Sequence, residues 1–141
     1  MLLLSIYKKF WQGNPVDILI DPGATNNFIV KHTVDRLKLP LYANSHTWDL
    51  QLANTNQHCN QACKITLSIN TYTEELTFDV ANLPKHKIIL GLPWLHHHNP
   101  TVDWPSSEIH FIYKMQPFLL ANGHCTIDKP GTIAHFYINL R

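Results

Sequence analysis

The chain has 141 residues, 45% of them hydrophobic and 15% charged, with a formal net charge of +1. That length and apolar content fit one domain with its own core and exclude a disordered tail. The near-zero charge leaves no electrostatic case for binding nucleic acid or a membrane surface.

The N-terminal stretch MLLLSIYKKF carries an apolar run too short for a signal peptide, with its lysines after the run. No stretch approaches the length of a membrane span. Residues 1–15 are expected to be an N-terminal extension of an intracellular, cytoplasmic protein. Val16 to Ile20 is a compact apolar run, short enough for a buried strand, that ends on Asp21. From Phe28 to Leu39 the apolar residues are irregularly spaced, predicting a short helix or arm that stops before Pro40. Trp48, Leu50 and Leu52 alternate with polar residues as in a half-buried strand. Ile65, Leu67 and Ile69 alternate again, as do Leu76, Phe78 and Val80. The polar stretch NTYTEE between them predicts a hairpin.

Ile88, Ile89 and Leu90 form an unbroken apolar run, expected to be covered on both faces. Gly91 ends it, and Pro93 suits the first turn of a short helix carrying Trp94 and Leu95 inward. Val102 to Trp104 and Ile109 to Tyr113 predict a closing pair of strands. Beyond residue 113 the periodicity fades, and 114–141 reads as an extension or linker. The pattern as a whole is that of a small all-β barrel or sandwich over 16–113.

Three cysteines, Cys59, Cys63 and Cys125, make no disulfide framework, and the odd count fits a reducing compartment. A zinc site built from His58, Cys59, Cys63 and the His124–Cys125 pair matches no standard spacing, so no metal and no cofactor are expected. His96 to His98 reads as the polar end of a short helix and not as a metal site, because consecutive side chains diverge on a regular backbone.

Only five glycines occur, and two close apolar strands: Gly23, two residues after Asp21, and Gly91. Glycine at such points permits positive φ or close approach of another backbone. The segment LIDPGATNNFI, and IILGLPWLHHHNPTVDW some 70 residues later, resemble in order and spacing the two motifs of one family. It is the retropepsin-like aspartic proteases of gypsy-type LTR retrotransposons and their domesticated relatives.

The resemblance spans Val16 to Phe111 and implies an acid-protease barrel with one or two short helices, acting as a homodimer on a polypeptide substrate. It makes Asp21 the catalytic residue, with Gly23, Ala24 and Thr25 lining the substrate groove and Asn26 or Asn27 near the turn. A hairpin flap between Leu52 and Ile65 would bring Asn54 and Thr55 to the substrate, Gly91 would support the catalytic loop, and Trp94 and Trp104 would be core anchors and not substrate contacts. Two contacting carboxylates share one proton, so each can play a different role. With one Asp-x-Gly in the chain, the second carboxylate must come from another copy.

Two departures from the family pattern stand out. The flap region lacks glycine, although Asn54 and Asn56 suit left-handed turn positions. Pro22 replaces the serine or threonine whose hydroxyl, in the family, bonds across the dimer axis. A catalytically degenerate dimerisation or peptide-binding module is therefore the alternative. An unrelated cytosolic β domain is opposed by the paired motifs.

Overall fold

Residues 16–51, 56–82, 87–127 and 132–138 are described by a computed structural model of the chain. The N-terminal extension expected over 1–15 lies outside them. Alternation does most of the building. β4 (Asn56–Ile69) and β5 (Tyr72–Ala81) pair antiparallel in register from Ala62 opposite Asp79 to Ile69 opposite Tyr72. Ile65, Leu67 and Ile69 meet Leu76, Phe78 and Val80 inside, as period-two spacing demands. Asn70 makes the turn at φ 55°, a left-handed conformation that asparagine tolerates.

β1 (Val16–Ile20) lies parallel between β6 (Lys87–Leu90) and β11 (Thr132–Ile138), pointing Ile18 and Ile20 into the core. β6 is covered on both faces. Ile88 and Leu90 enter the main core, while Ile89 packs on a second, smaller cluster of Phe28, Cys59 and Ala81. The span Phe28 to Leu39 resolves into two elements, β2 (Phe28–Val30) and helix α1 (Lys31–Leu37). α1 ends at Lys38, left-handed at φ 54°, just before Pro40.

β3 (Tyr42–Gln51) pairs antiparallel with β4, bulging between Ala43 and Trp48. Their register runs to Gln51 opposite Asn56, so this hairpin stands where the flap was expected, with its first arm beginning at Tyr42. Asn54 and Thr55, assigned to that flap, lie outside the described residues.

α2 (Leu92–His98) follows Gly91 with Pro93 in its first turn and Trp94 buried beneath it. Asn99 closes it in the left-handed region. A three-stranded sheet of β7 (Thr101–Asp103), β8 (Glu108–Tyr113) and β9 (Gln116–Leu120) packs Ile109, Phe111 and Leu120 against the core. Trp104 is no core anchor: it sits in the turn after β7, 65% exposed.

The residues from 114 onward, expected as an extension or linker, hold β9, β10 (Gly123–Ile127) and β11. Their apolar side chains Cys125, Ile127, Ala134 and Phe136 all join the main core. The main sheet runs β10-β11-β1-β6-β2-β5-β4-β3, and β10 also pairs with β4 through Thr126 opposite Ser68 and Ile127 opposite Leu67. That extra pairing closes the sheet into a barrel, leaving β3 outside the ring. The fold is all-β with two short helices among the described residues. No helix among those residues is long and apolar enough to cross a membrane.

Candidate active site

Asp21 leaves the end of β1 tied to its neighbour, because its own N–H donates to the Leu90 carbonyl at 2.9 Å. Ala24 N–H donates back to the Asp21 carbonyl at 3.1 Å, closing a four-residue turn over Pro22 and Gly23. Pro22 holds the second position of that turn, where its fixed φ is favoured and no N–H is required. The proline therefore fits the loop of a single chain. What it cannot supply is a hydroxyl.

Gly23 N–H donates to Asp21 Oδ1 at 2.9 Å, so one carboxylate oxygen is held by the backbone. A Cβ at Gly23 would stand 3.1 Å from that same oxygen and crowd it. Asp21 and Ala24 are half-buried, and Gly23 and Thr25 are exposed along the loop. A half-buried carboxylate oxygen is thus held from behind by the backbone of its own loop.

The second motif supports the first by close backbone contact. Leu92 N–H donates to the Ala24 carbonyl at 2.9 Å, and Gly91 N–H donates to Asn27 Oδ1 at 2.8 Å. A Cβ on Gly91 would fall 2.3 Å from the Asn26 oxygen and 2.6 Å from the Ala24 oxygen. Gly91 has φ −100°, so the need for glycine here is steric. Of the two asparagines placed near the turn, Asn27 is the one that joins the motifs.

Asn26 turns the other way and donates to Asp79 Oδ2 at 3.3 Å. Asp79 also accepts from Asn44 Nδ2, and its own N–H donates to the Asn27 carbonyl at 2.9 Å. Asn44 lies in the stretch where β3 bulges, and a bulge re-aims side chains. From there it reaches β5 across β4, whose residue opposite Asp79 is the small Ala62. Asp79 thereby joins the loop to the base of the β3–β4 hairpin. Sequence reading missed this role, since an aspartate within an alternating strand looks like an outward-facing charge.

The thiols considered for zinc lie in apolar surroundings. Cys59 belongs to the smaller cluster, while Cys63 and Cys125 belong to the main core. Burial pushes the Cys125 thiol up to about 12, as expected of a cysteine packed in an apolar core.

A mostly β barrel carrying an Asp-Pro-Gly-Ala loop against an Ile-Leu-Gly strand end defines a retropepsin-like domain. Residues 17–116 match the family model of the PEG10/RTL1 protease domain. The chain belongs to that family, a retrotransposon-derived group of retropepsin-like domains.

Proposed function

We propose that this domain is an aspartic endopeptidase that acts as a homodimer, its dyad formed by Asp21 and the partner's Asp21. The observation that carries this reading is the half-buried Asp21 carboxylate, fixed by Gly23 N–H on a loop braced by Gly91 and Leu92. One barrel supports one such loop, so a two-fold pairing supplies the second.

Like charges in contact cannot both ionise, and one proton is shared. The ionised member takes a proton from water as the water oxygen bonds to the peptide carbonyl carbon. The protonated member gives its proton to the carbonyl oxygen. Collapse of the tetrahedral intermediate returns a proton to the departing amine nitrogen and breaks the C–N bond. Gly23, Ala24 and Thr25 flank the extended peptide, and the β3–β4 hairpin covers it. The substrate class is the polyprotein of the ancestral element.

Pro22 favours a second reading, in which the fold survives as a dimerisation or peptide-binding module without hydrolysis. Loss of two symmetry-related hydroxyl bonds removes roughly 2–4 kcal/mol of dimer stability. That weakens the dimer constant by a factor of about 30 to 1,000.

Sedimentation and cleavage of one peptide library, compared for the parent, Pro22→Ser, Pro22→Ala and Asp21→Asn, separate the readings. Endopeptidase function predicts acid-favoured cleavage that Asp21→Asn abolishes and Pro22→Ser accelerates, with Pro22→Ala helping far less. A Pro22→Ser protein that dimerises tightly yet cleaves nothing between pH 4 and 7 (a range of about three units around carboxylate titration) would establish the second reading.

A further inference from the structure

Strand β5 turns the alternate residues Tyr72, Leu76, Phe78 and Val80 inward, all buried. Glu74 falls in the same row, opposite Leu67 of β4, and its side chain is only 10% exposed. A carboxylate in a core-facing position requires partners, and those it has come largely from α2. His98 Nε2 donates to Glu74 Oε1 at 2.8 Å, and His98 itself is 1% exposed. Tyr72 Oη donates to the same oxygen. Trp94 Nε1 in turn donates to Tyr72 Oη at 3.2 Å. The other oxygen, Oε2, faces His97 Nε2 across 3.9 Å, too far for a hydrogen bond, and His97 is 63% exposed.

We infer that Glu74, His97 and His98 form a zinc-binding site at the C-terminal end of α2, away from the Asp21 loop. One ligand atom from each residue lies within 4.8 Å of the others. Two bonds of about 2.1 Å at a tetrahedral angle set donor atoms about 3.4 Å apart. The 3.9 Å gap between His97 and Oε2 closes to that value with a small rotation of the exposed ring, and the 2.8 Å His98 contact opens by a similar amount.

Both imidazoles would bind as the neutral tautomer that carries its single proton on Nδ1, leaving the Nε2 lone pair for the ion. Water from the exposed side completes four-coordination. Two imidazoles and one carboxylate suit zinc, whereas magnesium and calcium favour oxygen-only sets. The ligating carboxylate already has the outer-shell support such sites use, through Tyr72 and, behind it, Trp94. The two histidines are adjacent in sequence, yet their rings meet at a centroid distance of 4.7 Å in the last turn of the helix. Asn99 turns left-handed immediately afterwards.

The test is calorimetric titration of the metal-free full chain with zinc chloride, paired with thermal unfolding. One equivalent should bind and raise the melting temperature, while magnesium chloride should do neither. His97→Ala should weaken zinc by about 10- to 100-fold or more, with the metal-free melting temperature unchanged because that ring is exposed. His96→Ala, one position away and exposed, should bind zinc like the parent. Cobalt substitution should give a tetrahedral d–d spectrum without sulfur-to-metal charge transfer. Three results would overturn the site: no saturable binding, equal losses in His96→Ala and His97→Ala (a surface histidine tract), or a thiolate charge-transfer band.

Discussion

The two ends of α2 are fastened by opposite means. At its N-terminal end, Gly91 and Leu92 meet the Asp21 loop through backbone N–H groups and leave no room for a side chain. At its C-terminal end, His98 meets β5 through side chains alone, in a polar knot of Tyr72, Glu74 and Trp94 walled by Phe111 and Tyr113. The contrast teaches how one seven-residue helix can hold the Asp21 loop. The end beside the loop is defined by excluded volume, which fixes position closely. The far end is defined by hydrogen bonds and charge, which fix orientation and respond to pH.

The sharpest way to break the first end is Gly91→Ala. A methyl 2.3 Å from one carbonyl oxygen and 2.6 Å from another meets backbone that cannot rotate aside. The expected loss is about 3–5 kcal/mol in chemical denaturation, or failure to fold. An alanine variant as stable as the parent would show that the loop and strand are not in close contact.

At the other end, Glu74→Ala leaves the His98 and Tyr72 donors buried without their acceptor. That should cost about 2–4 kcal/mol at neutral pH. Glu74→Gln, which keeps an acceptor, separates charge from shape. Burial alone would raise the Glu74 carboxyl, but the His98 and Tyr72 hydrogen bonds and the histidine charges outweigh it and leave it below the usual carboxylate range. A carboxyl lowered by folding adds stability above its unfolded value near 4.5, and that stability is lost as pH falls through the folded value. The parent's melting temperature should therefore fall on acidification in that range, and Glu74→Gln, measured metal-free, should flatten the fall.

Asn27→Ala removes the side-chain acceptor of Gly91 N–H while leaving the rest of the seam. About 1–2 kcal/mol should go, with peptide cleavage, where present, reduced more than stability because the loop loses its brace. Equal stability with and without the Asn27 amide would assign the seam to the backbone bonds alone.

The smallest expected effect lies away from both ends, in the turn joining β8 to β9. Lys114 and Met115 sit there at φ 50° and 62°, conformations that asparagine and glycine adopt more cheaply. Lys114→Asn with Met115→Gly should stabilise the chain by about 1–2 kcal/mol, read as a higher denaturation midpoint.

That same turn shows why part of the fold was hidden from sequence reading. Hairpins with regular alternation, such as Ile65-Leu67-Ile69 with Leu76-Phe78-Val80, announce themselves, and Asn70 marks their turn. A Lys-Met pair forced into the left-handed region carries no such signal, so the chain beyond Tyr113 looked structureless although it supplies buried Phe136 and Ala134. Trp104 failed in the other direction, since a large aromatic in a motif reads as core yet here falls in a turn.

Around the loop, the places of Asp21, Gly23 and Gly91 were legible because a sharp turn after a strand restricts residue choice. Asn26 and Asn27 are chemically identical, and only the fold decides that one faces Gly91 and the other Asp79. Glu74 was obscured by its place in the stretch NTYTEE, which reads as turn and shoulder, although its spacing from Leu76 and Phe78 puts it on the inner face.

The placement of β1 carries a consequence for how the chain reaches this structure. The strand bearing Asp21 has no local partner, because its ladders run to β6 on one side and to β11 on the other. Contacts between such distant segments are made late and slowly, since the loop-closure entropy must be met before any pairing repays it. Until β11 docks and β10 seals the ring on β4, β1 presents an open edge with unpaired N–H and C=O groups beside exposed isoleucines. A chain cut after residue 116, where the family match stops, would keep that edge permanently, along with the gap left by Cys125, Ile127, Ala134 and Phe136. Such a fragment should form edge-to-edge aggregates.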